Sequence, residues 1–175
     1  GFLNASKGGE TLARALAQWE QSGRDCRLWM VGGQVGASDA SNRHYLAQVQ
    51  ALLQGLGVAA RVRWTGYLSP SEVSANLLAA DVAALPYEDG ASFRRGSFLA
   101  MLAHGLPTVT TTPAVPLPEL ADGETVLLVP PGDPVALAQA VLRLAADPSL
   151  RQRLSEGARR LAAAFTWESI AARHL

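Results

Sequence analysis

Short apolar runs alternate with longer helical patterns along this 175-residue chain, and the alternation restricts the fold more than any other feature. Most of the runs are followed at once by glycine or proline, which end regular structure. Strands that alternate with helices form a parallel sheet with helices on both faces, so we predict an α/β fold. The predicted strands are Arg27–Val31, Arg61–Thr65, Asp81–Leu85, Pro107–Thr111 and Val126–Val129, and the predicted helices are Gly9–Gln21, Asn42–Gly55, Pro70–Ala79, Gly96–His104 and Pro134–Ala145.

The two ends of the chain depart from this alternation. Only Gly1–Asn4 precede the first helical pattern, so we expect that a first strand is truncated and that the chain is a piece of a longer protein. The complete sheet is then expected to have about six strands. Two extra helices, Pro148–Ala164 and one from Trp167 onward, follow the last strand with no strand between them. The length fits a single domain.

Composition excludes several classes of protein. The 15 basic and 15 acidic side chains cancel, so no nucleic-acid or anionic-membrane partner is expected. A single cysteine, Cys26, cannot form a disulfide framework. No run approaches the ~18 apolar residues of a membrane-spanning helix, and no signal peptide is visible. The three histidines lack the spacing of metal ligands. We therefore expect a soluble, cytoplasmic protein that binds no metal.

The segment Asp89–Ser97 is the strongest candidate for a binding site. It follows a predicted strand and opens a helix, and parallel sheets bind ligands beyond the carboxyl ends of their strands. Free amides at a helix start attract anions, and guanidinium groups bind phosphate oxygens in bidentate fashion. A solvated loop in which Asp89 pairs with an arginine is the alternative interpretation. The candidate phosphate ligands are Asp89, Ser92, Arg94, Arg95, Gly96 and Ser97.

Two glycine-rich turns are weaker candidates. Lys7 stands beside Gly8 and Gly9 at a helix start but lacks the spacing of a Walker motif, so phosphate contact and simple solvation both stay open. Gly32 and Gly33 follow a strand, yet the Gly-x-Gly-x-x-Gly spacing is missing and the next strand ends without an acid to hold a ribose. These glycines predict a tight turn, and nicotinamide binding is not expected.

Taken in order, several segments resemble the family 4 glycosyltransferases, and the resemblance covers nearly the whole chain. Each segment is short, but their order along the sequence is specific. The segments are Lys7-Gly8-Gly9, Val31-Gly32-Gly33, Val62-Arg63-Trp64-Thr65-Gly66, Ala80-Asp81-Val82-Ala83-Ala84-Leu85-Pro86, Gly105-Leu106-Pro107-Thr108-Val109, Asp122-Gly123, Val129-Pro130-Pro131-Gly132-Asp133 and Phe165-Thr166-Trp167.

The resemblance implies a Rossmann-like fold and a role. Residues 1–175 would form one domain, the C-terminal, donor-binding domain of the two-domain GT-B architecture, whose N-terminal acceptor-binding domain is absent from this chain. The substrate would be a nucleotide-diphosphate sugar. The enzyme would be a hexosyltransferase-like glycosyltransferase that uses no metal and no other cofactor. The isolated domain is expected to be inactive, and any peripheral association with a membrane is expected only through the missing domain.

The resemblance also assigns roles to residues in five loops. Carried over by position, Lys7 matches the phosphate-binding lysine, and Gly32 or Gly33 would line the nucleotide cleft. The backbone of Gly66, Tyr67 and Leu68 would meet the base, and Arg95, Gly96 and Ser97 would meet the diphosphate and sugar. Glu119 matches the acid of the loop after the fourth strand.

Two departures from the family pattern stand out. Phe2 occupies the place of an arginine, and Ser92 and Ala100 occupy the places of the two carboxylates in the Glu-x7-Glu motif. The loop carries Arg94 and Arg95 instead, as in a subset of the family with an Asp-Gly-x-Ser-x-Arg-Arg-Gly-Ser loop. Phosphate binding is therefore expected to persist, with ribose and sugar recognition rebuilt. Helical spacing predicts that Ala100 faces the cleft.

Two other readings compete with a transferase domain. The missing carboxylates favour a degenerate, non-catalytic domain of the same fold that serves as an assembly or regulatory module. A sugar-phosphate epimerase shares the broad architecture but needs acids and histidines in the cleft, and the sequence offers none there. Lys7 and the paired arginines favour the transferase domain.

Overall fold

A computed structural model describes residues 3–33 and 40–166. The predicted elements within these ranges are confirmed, with boundaries that move by one or two residues. The helix predicted from Trp167 lies outside the described residues. In chain order the elements are α1 (Gly9–Gln21), β1 (Leu28–Met30), α2 (Ala40–Gly55), β2 (Val62–Trp64), α3 (Pro70–Leu78), β3 (Ala83–Leu85), α4 (Gly96–Ala103), β4 (Thr108–Thr111), β5 (Leu127–Val129), α5 (Pro134–Ala146) and α6 (Pro148–Ala162).

All strand pairs in the described ranges are parallel, as predicted. β1 pairs with β2, and β3, β4 and β5 pair in that order. The fold class is confirmed, but within residues 3–33 and 40–166 there are five strands in two separate sheets, where about six in one sheet were expected. The separation lies between β1 and β3, which do not pair with each other.

Two apolar cores lie on opposite faces of the three-stranded sheet. Leu127 and Val129 of β5 pack into the core formed with α1, α2 and α5, whereas Leu128 packs into the core formed with α4 and the last turns of α6. Because successive side chains of a strand point to opposite faces, this alternation confirms helices on both faces of the sheet. No helix in the described ranges is long and apolar enough to cross a membrane.

Three helix starts are fixed by side-chain caps. Ser69 and Glu72 form a reciprocal capping box at α3, in which the Ser69 N–H donates to the Glu72 carboxylate at 2.8 Å. Asp133 accepts from Val135 N–H and Ala136 N–H at the start of α5, and Asp147 caps α6 in the same way. Such caps satisfy amides that the helix itself leaves unpaired.

Candidate functional site

A cavity of about 830 Å³ lies between β1 and β3, and its wall reaches the loops that follow both strands. At that end its wall includes Lys7, Gly32, Gly33, Tyr87 and Ser97, which come from three separate loops. The structure therefore brings together the lysine turn, the glycine turn after β1 and the start of α4. These are three of the places that the sequence singled out.

The lysine turn is locked against the chain that follows β3. Ala5–Lys7 form one turn of 3-10 helix, and the Glu88 N–H donates to the Ser6 carbonyl at 3.0 Å. Gly8 has φ +64°, and a Cβ at this position would overlap the Pro86 carbonyl oxygen. Only glycine fits such a left-handed, close-packed position without strain. Lys7 is thus presented from a fixed backbone.

Two cationic side chains at the lysine turn lie close enough to interact electrostatically. Lys7 is half-buried, and its pKa is lowered first by burial and then by the charge of Arg95. Both causes disfavour the charged lysine. Lys7 is also the only lysine in the sequence. A bound anion would relieve the electrostatic cost of holding these two charges together.

Arg95 is held in place by three neighbours. It forms an ion pair with Asp89, its Nη1 donates to Ser6 Oγ at 3.4 Å, and its Cζ lies 4.1 Å from the centroid of the Tyr87 ring. Only 18% of the Arg95 side chain is exposed. The ion pair expected for a solvated loop is therefore present, but the arginine that makes it is largely buried. A guanidinium restrained in this way loses little conformational freedom on binding a ligand.

Tyr87 supports both Arg95 and the start of α4, and sequence reasoning did not single it out. The residue is 1% exposed, and its hydroxyl shares a 2.8 Å hydrogen bond with Ser97 Oγ. Burial raises the pKa of the Tyr87 phenol. Its carbonyl accepts from Thr111 Oγ1 at 2.8 Å. The available signal was its position directly after Pro86, where the loop beyond β3 begins.

The start of α4 differs from the capped helices. No side chain caps it; Phe98 N–H and Leu99 N–H donate to the Arg95 carbonyl. The amides of Gly96 and Ser97 donate to no group within residues 3–33 and 40–166. Unpaired amides at the positive end of a helix form an anion-binding site. Ser97, which also lines the cavity, places that site beside Lys7.

Other predicted ligands lie farther out. Arg94 is exposed, and its N–H donates to Ser92 Oγ at 3.3 Å. Neither residue lines the cavity, and neither does Asp89. Glu119 is exposed in the loop after β4 and is also outside the cavity wall. Of the six candidate residues in this segment, Ser97 lines the cavity, and Arg95 packs on the ring of Tyr87, which also lines it.

The loop after β2 lies beside the glycine turn. Gly66 forms an isolated bridge with Gly32, whose N–H donates to Thr65 Oγ1 at 3.0 Å. Tyr67 is 89% exposed, and Leu68 is partly buried. The glycine turn and this loop thus form one continuous edge next to the cavity. The third glycine of that turn, Gly36, lies outside the described residues, as does Phe2.

Ala100 and Met101 both pack against the small apolar cluster of Leu77, Ala83 and Leu106, and Met101 also lines the cavity. Ala100 is not part of the cavity wall, and its orientation towards the donor cleft stays a prediction. Within residues 3–33 and 40–166, no three His, Cys, Asp or Glu side chains are grouped as metal ligands would be.

A family model and several curated relatives match this chain. The sequence model of the family described as "Glycosyl transferases group 1" matches residues 1–147. The D-inositol 3-phosphate glycosyltransferase of Corynebacterium diphtheriae is 37% identical over 175 residues, which cover 98% of this chain and 39% of that protein. The chain thus spans about two fifths of that relative's length.

Solved structures show the same fold. Sucrose-phosphate synthase from Thermosynechococcus elongatus superposes with a TM-score of 0.83 and 28% identity, over 99% of this chain and 42% of that one. Anabaena Alr3699/HepE in complex with UDP-glucose superposes with a TM-score of 0.76 and 20% identity, over 93% of this chain and 42% of that one. Because the family model matches residues 1–147 and the C. diphtheriae relative is 37% identical over 98% of this chain, this chain belongs to the group 1 glycosyltransferases.

Proposed function

We propose that this chain is the donor-binding half of a glycosyltransferase and holds a nucleotide-diphosphate sugar at the end of the cavity that Lys7 and Ser97 line. The observation that carries the proposal is that Lys7 and Ser97 line one cavity, while Arg95 packs on Tyr87 of the same wall and directly precedes the unpaired amides of Gly96 and Ser97. A diphosphate there would accept hydrogen bonds from all of them. Charge-assisted hydrogen bonds of this kind are the strong ones.

The diphosphate would be stabilised without a metal ion. Two cations and a helix N-terminus supply positive charge, and the burial of Lys7 and Arg95 reduces the screening of that charge by solvent. The same groups would stabilise the charge that develops on the nucleoside diphosphate as it leaves the sugar. We assign Lys7 and Arg95 as the principal diphosphate ligands, with Asp89, Ser92 and Arg94 forming the outer edge of the site.

The remainder of the donor would extend on either side of the diphosphate. Gly32 and Gly33 have no side chains, so the donor can approach their backbone closely. We propose that the base meets the backbone of Gly66, Tyr67 and Leu68, next to this turn. Glu119 would act at the sugar, from the loop after β4. Because Ser92 and Ala100 replace the family carboxylates, the ribose and sugar hydroxyls must find other partners.

We further propose that residues 1–175 act with an acceptor-binding half supplied by the rest of a longer protein. The chain covers 39% of the C. diphtheriae relative and 42% of the solved sucrose-phosphate synthase chain. Positioning both reactants in one cleft contributes on the order of 7–11 kcal/mol to catalysis. The chain by itself is therefore expected to bind donor and not to transfer sugar.

Calorimetric titration with UDP, GDP and ADP, beside the matching nucleosides, tests the proposed donor site. We expect at least one diphosphate to bind with 1:1 stoichiometry and more tightly than its nucleoside. The same sample, incubated with the corresponding nucleotide sugars, should release no transferred product. If none of the diphosphates binds better than its nucleoside, the non-catalytic interpretation replaces this one.

A further inference from the structure

Strand β4 is fully buried, yet three of its four residues are threonines. Parallel strands covered on both faces are usually built from Val, Ile and Leu, and a buried hydroxyl without a partner costs stability. Each hydroxyl here donates to a main-chain carbonyl: Thr108 to Leu106 at 2.7 Å, Thr110 to Leu85 at 2.9 Å and Thr111 to Tyr87 at 2.8 Å. Two of the three acceptors thus lie at the end of β3 or just beyond it, where the loop with Arg95 begins.

Thr110 and Thr111 hold the end of β3 from opposite faces of the sheet, because successive side chains of a strand alternate between faces. The strand that carries them is a firm base, since β4 pairs with β3 on one side and with β5 on the other. Thr111 also bonds the far end of the turn, where the Ala91 N–H donates to the Thr111 carbonyl at 3.3 Å. One residue of β4 therefore fixes the segment from Tyr87 to Ala91 at both of its ends.

The turn lies directly on the chain that leaves β4. Gly90 has φ +84°, and a Cβ at this position would lie 2.7 Å from the Ala114 nitrogen and 2.8 Å from the Thr112 carbonyl oxygen. Only a residue without a side chain fits there. The Gly90 N–H donates to the Tyr87 carbonyl at 3.3 Å, so this carbonyl accepts both Gly90 N–H and Thr111 Oγ1. Without the Thr111 hydroxyl, the longer of the two bonds would have to hold the Tyr87 main chain.

The geometry points to Thr111 as a positioning residue for the diphosphate of the donor. Its hydroxyl fixes the main chain of Tyr87, and the Tyr87 ring and phenol in turn hold Arg95 and the start of α4. Thr111 itself is 0% exposed and does not line the cavity, so it acts through Tyr87 and not by contact with a ligand. The inference rests on the proposed donor site, and it adds a residue 14 positions beyond Ser97 to the groups on which diphosphate affinity depends.

Three substitutions on β4 separate positioning from stability. Thr111→Val keeps the shape and removes the hydroxyl, and Thr111→Ser restores the hydroxyl. Thr108→Val is the matched control, because Thr108 is equally buried and loses an equivalent bond to Leu106, away from the loop after β3. Calorimetry gives the affinity of each form for UDP, GDP and ADP and for the matching nucleosides, and thermal unfolding gives its stability.

The free protein provides a second readout that needs no nucleotide. The Tyr87 ring displaces the NMR resonance of the Arg95 Nε–H, since the Arg95 Cζ lies 4.1 Å from the ring centroid. This resonance is assigned by its loss in Arg95→Lys. We expect it to move towards the position of an exposed arginine in Thr111→Val and to stay in place in Thr111→Ser and Thr108→Val.

We expect Thr111→Val to weaken nucleoside-diphosphate binding by about tenfold, roughly the value of one charge-assisted hydrogen bond, with nucleoside affinity unchanged. Thr111→Ser and Thr108→Val should bind diphosphate like the wild type, although Thr108→Val should lower the melting temperature about as much as Thr111→Val does. If Thr111→Val does not fold, Thr111→Cys replaces it, because a thiol is only a weak donor.

Unchanged diphosphate affinity in Thr111→Val, or an Arg95 resonance that does not move in this variant, overturns the inference. Equal losses of affinity in Thr111→Val and Thr108→Val overturn it as well, because reduced stability would then explain both. A wild type that binds no nucleoside diphosphate overturns the proposed function, and the diphosphate role of Thr111 with it. A wild type that binds diphosphate no better than Thr111→Val does overturns the role of Thr111 alone.

Discussion

Arg95 lies over the ring of Tyr87, with 4.1 Å between Cζ and the ring centroid, and the same tyrosine bonds Ser97 at the start of α4. One buried aromatic side chain thus fixes both a guanidinium and a helix N-terminus. A cation over an aromatic face is attracted by about 0.5–2 kcal/mol, depending on desolvation. Arg95 is therefore positioned before any ligand arrives, and this arrangement underlies the first prediction.

Replacement of the two adjacent arginines should have unequal effects. We expect Arg95→Ala to weaken nucleoside-diphosphate binding by about 10- to 100-fold, the value of a charge-assisted hydrogen bond. Arg94→Ala, the matched control, should weaken it by only about 2- to 3-fold, because an exposed charge is screened by salt. Calorimetry measures the diphosphate affinity of both variants. It also measures their nucleoside affinity, which should not change. Equal losses for the two variants would show that Arg95 has no privileged contact.

Lys7 should make diphosphate binding sensitive to alkaline pH. Its lowered pKa means that the lysine loses its proton below the pH usual for this side chain, and neutral lysine cannot pair with phosphate. Affinity should therefore be constant near neutral pH and fall as the pH rises through the pKa of Lys7. Because the sequence has no other lysine, a selectively labelled lysine gives a single NMR side-chain resonance for the titration. A Lys7 pKa at or above the ordinary value would contradict this prediction.

The same lowered pKa predicts an opposite effect on stability. The folded state disfavours charged Lys7 relative to the unfolded chain, so the cost is present at neutral pH and disappears as the pH rises from the folded to the unfolded pKa. Lys7→Met should thus raise the melting temperature at pH 7 while weakening diphosphate binding. Arg14→Met, at an exposed position of α1, is the control. A lower melting temperature for Lys7→Met would show that the lysine stabilises the free protein.

The Tyr87–Ser97 hydrogen bond should be visible in unfolding experiments without ligand. Tyr87→Phe and Ser97→Ala should each lower the free energy of unfolding by about 1 kcal/mol, the net value of a typical hydrogen bond. The double variant should lose less than the sum, with a coupling of about 0.5–1 kcal/mol, since the two groups contact each other. Strictly additive losses would mean that the bond does not contribute to stability.

Gly8 should tolerate alanine much less well than Gly23 does. Both have positive φ, +64° and +73°, but a Cβ at Gly23 meets nothing within 4 Å, whereas one at Gly8 overlaps the Pro86 carbonyl. Gly23→Ala should cost about 1 kcal/mol for the left-handed backbone alone. Gly8→Ala should cost about 2–3 kcal/mol more, as other overpacked sites do. Urea unfolding of the two variants gives the difference, and similar values would argue against the close packing of the lysine turn.

The sequence alone determined most of the secondary structure and the positions of the helix starts. Ser69-Pro70-Ser71-Glu72 predicts the start of α3 because the capping contacts join residues only three positions apart. The predicted α1 agrees with the structure at both ends. Parallel strands and helices on both faces also followed from the pattern, because that pattern depends only on the order and length of apolar runs.

Only the tertiary structure decided which of the candidate side chains act together. Arg94 and Arg95 are equivalent in sequence, yet Arg95 turns inward to Tyr87 and to Ser6, which lies 89 positions away. Ala100 packs against Leu77 of α3 and Ala83 of β3, and no local pattern predicts these contacts. The cavity between β1 and β3 likewise depends on how two sheets lie in space. Residues that are neighbours in the sequence determine where helices and strands begin and end. The burial and charge of the site depend on contacts between residues far apart in the sequence, and the spacing of residues along the chain does not encode those contacts.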